Sequence, residues 1–179
     1  RLKQTPYVFV LGGVLEFDAG KVVEVFNLWD KLGLRKDYVV PSLTLMRTDG
    51  TTLYTTRDIA YTLWKFERAD KCINVIGMEQ SLAQMQLKIA LYALGYSQHA
   101  ENLTHFAYNL VTLPGYKMSS RRGRYITLDE VMDEAVRRAY EEVSKRSPQL
   151  PEEEKRKVAE FVGIGAVRYA LVEVDPSKP

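Results

Sequence analysis

One cysteine, Cys72, in 179 residues leaves no internal disulfide and no multi-cysteine metal site. Two histidines, His99 and His105, are too few for a histidine-rich metal cluster. No apolar run approaches the roughly 18 residues of a membrane span. No signal-peptide pattern opens the chain, so a reducing, cytoplasmic setting is the expectation. Charge of one sign is also scarce: 25 Lys and Arg against 23 Asp and Glu give a net +2. Any contact with nucleic acid must therefore come from local patches. Gly12-Gly13 is followed by neither a G-x-G-x-x-G run nor a Walker lysine. No credible Ser/His/Asp or Cys/His set is present, so a side-chain nucleophile is not expected. Internal repeats and low-complexity runs are absent.

What is there suits one domain, or one and a part, with 46% hydrophobic residues for a core. The chain starts at Arg1 rather than Met and ends on a proline-rich tail, which reads as a piece of something longer. Residues 7–11 read as a buried strand ended by Gly12-Gly13. Asp18 can cap a helix from about Gly20 to Leu32, with Val22, Val25, Phe26, Trp29 and Leu32 as its core stripe and Gly33 as its terminal glycine. A strand at about Val39–Met46 should start late or lie at an edge because of Pro41. Thr48-Asp49-Gly50-Thr51 is a tight turn. Tyr54-Thr55-Thr56-Arg57-Asp58 opens a helix to about Arg68 that Thr55 or Thr56 can cap; it buries Ile59, Ala60, Leu63 and Phe66, with Asp58 in its first turn, favourable with the helix dipole.

Cys72–Ile76 is a second buried strand closed by Gly77. Gln80 opens a helix that Gly95 ends, with Leu82, Met85, Ile89 and Tyr92 on one face. Strand, glycine turn and helix make a βα unit. Ligands of open α/β sheets sit at the carboxyl ends of strands, which puts Gln80 at a ligand-facing loop; a plain helix cap is its structural alternative. Leu103–Val111 is a third strand, with His105 read as a structural histidine. Thr127 and Glu130 form a capping-box pattern at the head of a helix to Arg146, its stripe Leu128, Val131, Met132, Ala135, Ala139 and Val143. Pro151 is expected at the first position of a last helix. That helix turns apolar on several sides, through Phe161, Val162, Ile164, Val167, Tyr169 and Leu171, and asks for burial on more than one of them.

The stretch with the most chemistry runs from Leu113 to Glu130. Pro114-Gly115 is a turn signal. Lys117, Arg121, Arg122 and Arg124 put four positive charges into eight residues with no acid among them. A cationic loop feeding a helix start can hold phosphate through fixed charge and backbone N–H groups. Asp129 and Glu130 temper that, and a solvated basic loop remains the alternative on physics alone.

The residues Lys117-Met118-Ser119-Ser120, followed by Gly123, Thr127, Leu128 and Asp129, resemble the KMSKS loop of class I aminoacyl-tRNA synthetases in its arginyl version. Asp49-Gly50-Thr51-Thr52-Leu53-Tyr54-Thr55-Thr56-Arg57-Asp58-Ile59-Ala60-Tyr61 is similar to the arginyl-tRNA synthetase segment D-G-T-[ST]-L-Y-x-T-R-D-[IL]-[AG]-Y. Val75-Ile76-Gly77 with Gln80 is like that family's strand end. Gly163 to Tyr169 is like its helix toward the anticodon-binding domain. The four blocks fall in family order between about Met46 and Val172.

The resemblance implies an α/β chain: the second half of a class I Rossmann-type nucleotide-binding fold with parallel strands, then α-helices. Residues 1–125 would be part of the catalytic domain, with 1–45 matching poorly. Residues 126–179 would lead toward an anticodon-binding domain outside the chain. Tyr54, Asp58 and Gln80 would line the arginine pocket. Gly77, Lys117, Met118 and Ser119 would contact ATP. Lys117, Ser119, Ser120 and Arg121 would form the catalytic loop. The implied partners are L-arginine, tRNA-Arg and ATP, the last with Mg2+.

Two departures stand beside this. The loop carries Ser120 where the family has its second lysine, so Arg121 or Arg122 would substitute. The HIGH-type motif is not in the sequence, so the ATP-contacting first half would lie outside the chain. That keeps a second reading open, a non-catalytic nucleotide- or nucleic-acid-binding module on the same fold.

Overall fold

The computed structural model describes residues 1–111 and 126–178, in two compact units, Arg1–Tyr108 and Asn109–Pro179. Lys117, Met118, Ser119, Ser120 and Arg121, with the Pro114-Gly115 turn, lie outside the described residues.

The first unit opens with a hairpin that the sequence reading did not contain. Strand β1 (Val8–Leu11) pairs antiparallel with β2 (Val14–Phe17), Leu11 opposite Val14. Gly12 and Gly13 both have positive φ, 56° and 82°. A two-residue loop of that hand matches the twist of a hairpin, so the glycines turn the chain back instead of ending a strand. Strand β3 (Leu43–Met46) pairs antiparallel with β2 and closes a three-stranded sheet in the order β1-β2-β3. It starts late, as Pro41 suggested, and it lies at the sheet edge. The Pro41 and Ser42 carbonyls accept from the Gln86 side chain instead, at 2.9 and 3.3 Å.

Helix α1 (Ala19–Val25) is capped by Asp18, whose Oδ1 accepts from Lys21 N at 2.8 Å. It is half the expected length. Asn27 takes a positive φ of 49°, its N–H bonds to Glu24 O, and Leu28 N bonds to Val23 O. That is the six-to-one and five-to-two pattern that ends a helix, with asparagine in the role expected of Gly33. Val25 and Phe26 are left exposed, while Trp29 and Leu32 still pack on the core.

Helix α2 (Tyr54–Phe66) follows the Asp49-Gly50 turn, where Gly50 has φ 84° and its N–H bonds to Arg47 O. Strand β4 (Cys72–Gly77), a 3-10 turn over Met78–Gln80, helix α3 (Ser81–Ala93), helix α4 (Ser97–Asn102) and strand β5 (Leu103–Tyr108) come next. Strands β4 and β5 pair in parallel, Cys72 opposite Leu103 and Gly77 opposite Tyr108. Parallel neighbours need a crossover, and α3 with α4 supplies it, giving one βαβ unit of an α/β fold. The short α4 was missed because Gly95 reads as a stop. Gly95 does end α3, at φ 83°, but the chain re-enters helix two residues later. Strand β5 also stops at Tyr108, short of the expected Val111.

One core joins these pieces. Phe17, Val22, Leu45, Ile59, Leu87, Ile89, Leu91 and Leu103 are all buried in it. The other face of the parallel pair is bare: Ile73, Val75, Phe106 and Tyr108 are exposed.

The second unit holds helices α5 (Leu128–Arg146) and α6 (Glu152–Glu173) packed on each other. The capping box at Thr127 and Glu130 is formed in both directions. Leu128 is exposed rather than part of the packed stripe. Pro151 occupies the cap position, one residue before the helix, not its first turn. On α6 the buried residues are Ala159 and Gly163, small side chains that let the two helix backbones approach. Phe161, Val162, Tyr169, Leu171 and Val172 are exposed.

Candidate functional site

Tyr54 and Asp58 are positioned by the way α2 is held. Thr56 does not cap the helix. Its hydroxyl donates to Leu45 O on β3 at 2.8 Å, and the Leu53 N–H reaches the same carbonyl at 3.3 Å. The cap residue is Leu53, with no side-chain cap bond. Helix α2 therefore starts earlier than expected, at Tyr54, and no acidic residue falls in its first turn. Asp58 is the fifth helical residue, beyond the reach of the dipole's end. It is exposed and makes no hydrogen bond or ion pair among the described residues. The structural reading of Asp58, an acid compensating the dipole, does not hold.

Tyr54 lies four residues before Asp58 and so shares its helix face. Its ring is 80% exposed, with the Arg57 guanidinium 5.0 Å from the ring centroid.

The far end of α2 is tied to the parallel pair. Lys65 Nζ donates to Asn74 Oδ1 at 2.7 Å, and Asn74 Nδ2 donates to Gln84 Oε1 at 2.7 Å. Lys65, Asn74 and Gln84 thus link α2, which carries Tyr54 and Asp58, to β4 and α3, which flank the turn that carries Gln80. Sequence reasoning missed this relay. Its signal was a polar asparagine inside the apolar run Cys72–Ile76.

Gln80 stands where topology put it, on the turn after the carboxyl end of β4. It is exposed, and its side chain does not cap α3. That removes its structural alternative as well. Gly77 ends β4 in a buried position where an added Cβ would fall on the Glu79 carboxylate. That group is the end of a flexible side chain, so the crowding is yielding. His105 is satisfied structurally, as expected: its Nε2 lies 3.0 Å from Ile76 O, and since a carbonyl only accepts, that nitrogen carries the proton.

Two adjoining clefts flank α3, of about 360 and 330 Å³, sharing Lys31, Leu32 and Lys88. Neither is lined by Tyr54, Asp58 or Gln80. Burial pushes the Lys88 ammonium below the usual lysine value. The Lys31 ammonium is raised by its hydrogen bond to Glu101. Among the described residues no group of three or more His, Cys, Asp or Glu is placed to hold a metal ion. Nor is any of their helices long and apolar enough to cross a membrane.

Comparison with known proteins gives the frame for these residues. Residues 12–175 match the family of class I tRNA synthetases (R), catalytic domain. The arginine–tRNA ligase of Pyrobaculum islandicum is 49% identical over 180 residues, covering 100% of this chain and 28% of that protein. The ligase of Ignicoccus hospitalis is 52% identical over 174 residues, covering 94% of this chain and again 28% of its own. Among solved structures, Thermus thermophilus arginyl-tRNA synthetase superposes with a TM-score of 0.78 at 29% identity, over 99% of this chain and 33% of that one. Plasmodium falciparum arginyl-tRNA synthetase shares the fold at a TM-score of 0.70 and 14% identity, over 99% of this chain and 27% of that one. The chain thus spans little more than a quarter of the length of these curated relatives. It belongs to the family of class I tRNA synthetases (R), catalytic domain.

Proposed function

We propose that this chain forms part of the catalytic site of an arginine–tRNA ligase, which uses ATP to make arginyl adenylate and then transfers arginine to tRNA-Arg. Residues 1–125 belong to the catalytic domain and residues 126–179 lead toward the anticodon-binding domain. The class I family implies ATP; Mg2+ arrives with it, held by the phosphates. The remaining ATP contacts come from outside these residues.

The observation that carries the reading is Asp58. An exposed carboxylate with no partner among the described residues, on one helix face with Tyr54, suits a guanidinium, whose planar fork donates two parallel hydrogen bonds to a carboxylate. Gln80, at the end of β4, orients the polar backbone end of arginine. Gly77 lets the nucleotide approach the strand end. On the loop, Met118 and Ser119 lie along the nucleotide. Lys117, with Ser119, Ser120 and Arg121, neutralises charge developing on the phosphates as pyrophosphate leaves. No side-chain nucleophile is needed. The arginine carboxylate attacks the α-phosphate, and the protein contributes positioning and electrostatics.

The test is Asp58→Asn in the full-length ligase, with arginine and ATP titrated separately. Arginine binding should weaken by roughly 1.5–3 kcal/mol, the worth of hydrogen bonds to a charged group, while ATP binding is unchanged. Equal weakening of both would show that Asp58 holds the fold and not the substrate.

A further inference from the structure

The outward face of α2 does not end at Asp58. One turn on, Tyr61 and Trp64 stack at 5.5 Å between centroids and 18° between planes. A cation sits over each ring, Lys65 at 5.1 Å from Tyr61 and Arg68 at 4.0 Å from Trp64. Both rings are half exposed, 57% and 47%. Of the four cation–π pairs among the described residues, these are the two whose rings also stack on each other. The inward side of α2 is already served by Ile59, Leu63 and Phe66, so the fold gains no core from Tyr61 and Trp64.

We propose that Tyr61 and Trp64, with Lys65 and Arg68, form a docking platform for single-stranded RNA, the unpaired end of the tRNA. The identity of that RNA rests on the ligase reading. Two parallel exposed rings flanked by cations meet the needs of an unpaired strand, flat faces for bases and positive charge for phosphates. A base in a duplex has no free face to offer. Arg68 marks the place. Its guanidinium lies on the Trp64 face that a base would take, held there by bonds to the Trp64 carbonyl and Glu67 at 2.9 Å each. A stacked base gains more from the indole than an exposed cation does. The displaced guanidinium then reaches the neighbouring phosphate, where it makes its strongest hydrogen bonds. Lys65 stays on Asn74 and supplies charge from the other side of the pair.

The experiment uses the chain with Trp29→Phe, which leaves Trp64 as its single tryptophan, titrated with a short single-stranded RNA oligonucleotide. Trp64 fluorescence should be quenched on binding. Trp64→Ala, checked for folding by circular dichroism, should weaken binding roughly tenfold. Arg68→Gln should reduce the slope of log K against log salt by about 0.7, one phosphate contact on a single strand. The salt slope needs no tryptophan, so it remains readable if Trp29→Phe does not fold. Unchanged affinity in Trp64→Ala with an unchanged slope in Arg68→Gln overturns the proposal. So does a full-length ligase in which acrylamide cannot reach Trp64 before RNA is added, because another part of the ligase then covers this face. Arginine binding by the full-length Trp64→Ala protein should equal that of the parent. A full-length ligase that binds RNA through Trp64 but binds no arginine would sink the arginine pocket and leave the platform standing.

Discussion

Two glycines on α6 should respond to the same substitution with opposite signs. Gly163 is buried against α5, and a Cβ there would lie 2.6 Å from Val136 Cα, 2.7 Å from Val136 N and 2.9 Å from the Ala135 carbonyl carbon. All three are backbone atoms, which cannot rotate away. An ordinary carbon contact is about 3.5–4.0 Å, so Gly163→Ala must part the two helices by roughly 1 Å. Gly165 is two residues along, exposed, with nothing within 4 Å of its added Cβ. In a helix interior alanine is favoured over glycine by about 1 kcal/mol, and Gly165→Ala should collect most of that. Gly163→Ala collects it too, but overpacking costs about 1–3 kcal/mol, occasionally more. A clash with backbone belongs at the upper end, so the net loss should be about 1–2 kcal/mol. The two variants should then differ by roughly 2–3 kcal/mol, about 8–24 °C in Tm for a unit of this size. Urea and thermal melts followed by far-UV circular dichroism will read the difference. If Gly163→Ala melts with or above Gly165→Ala, the close approach of α5 and α6 at this point is wrong.

Three further outcomes are expected. Ser144 has a buried Oγ with no hydrogen-bond partner among the described residues, so Ser144→Ala should stabilise by about 1 kcal/mol in the same melts; a loss would mean the hydroxyl is satisfied. Glu134 is held down to about 2 by hydrogen bonds from Arg137 and then Arg138. A depressed carboxylate adds stability that is complete above its unfolded value and is lost as pH falls through the folded one. Glu134→Gln should therefore flatten the acid unfolding limb between about pH 4.5 and 2, less so in high salt, and superimposable acid titrations would mean the cluster contributes nothing. In the full-length ligase, Lys117→Ala should slow adenylate formation, by about 3–4 kcal/mol at the transition state, with arginine affinity kept; near-normal pyrophosphate exchange counts against the loop assignment.

The parts of the fold that were legible are those where one local signal had one outcome. Thr127 with Glu130, Asp18, and the Asp49-Gly50 turn each name a backbone geometry, and each formed. The run Cys72–Ile76 gave a strand because its length, β-branched residues and flanking glycine agreed, but not the burial expected of it, since Ile73 and Val75 are exposed. The failures came where a signal fits two geometries. Gly12-Gly13 can end a strand or turn a hairpin, and only the pairing of Leu11 with Val14 decides. Asn27 can reverse a helix as glycine does, but nothing in a single sequence distinguishes it from asparagine on an exposed face. The α6 stripe was read as wanting burial on several sides. Its packing runs instead through Ala159 and Gly163, residues too small to register as hydrophobic periodicity.

The candidate site residues were named through the family resemblance, and the structure changes which local roles are open to them. From sequence, Asp58 and Gln80 each had a structural role able to explain their presence, a first-turn acid and a helix cap. Both roles depend on where a helix begins, which is the least secure boundary in a sequence reading. The tether from Thr56 to Leu45 starts α2 at Tyr54 and carries Asp58 past the first turn. Gln80 takes the cap position of α3, but its side chain makes no cap bond and is exposed. The early start of α2 thus takes the first-turn duty from Asp58, and the missing cap bond takes the capping duty from Gln80. Meanwhile Lys65, Asn74 and Gln84 form bonds that tie α2, β4 and α3 together. Polar side chains with no partner among the described residues, on elements whose relative position is held by others, are what a preorganised binding site needs. For Asp58 and Tyr54, one carboxylate and one ring on one helix face, the ligand we propose is a guanidinium.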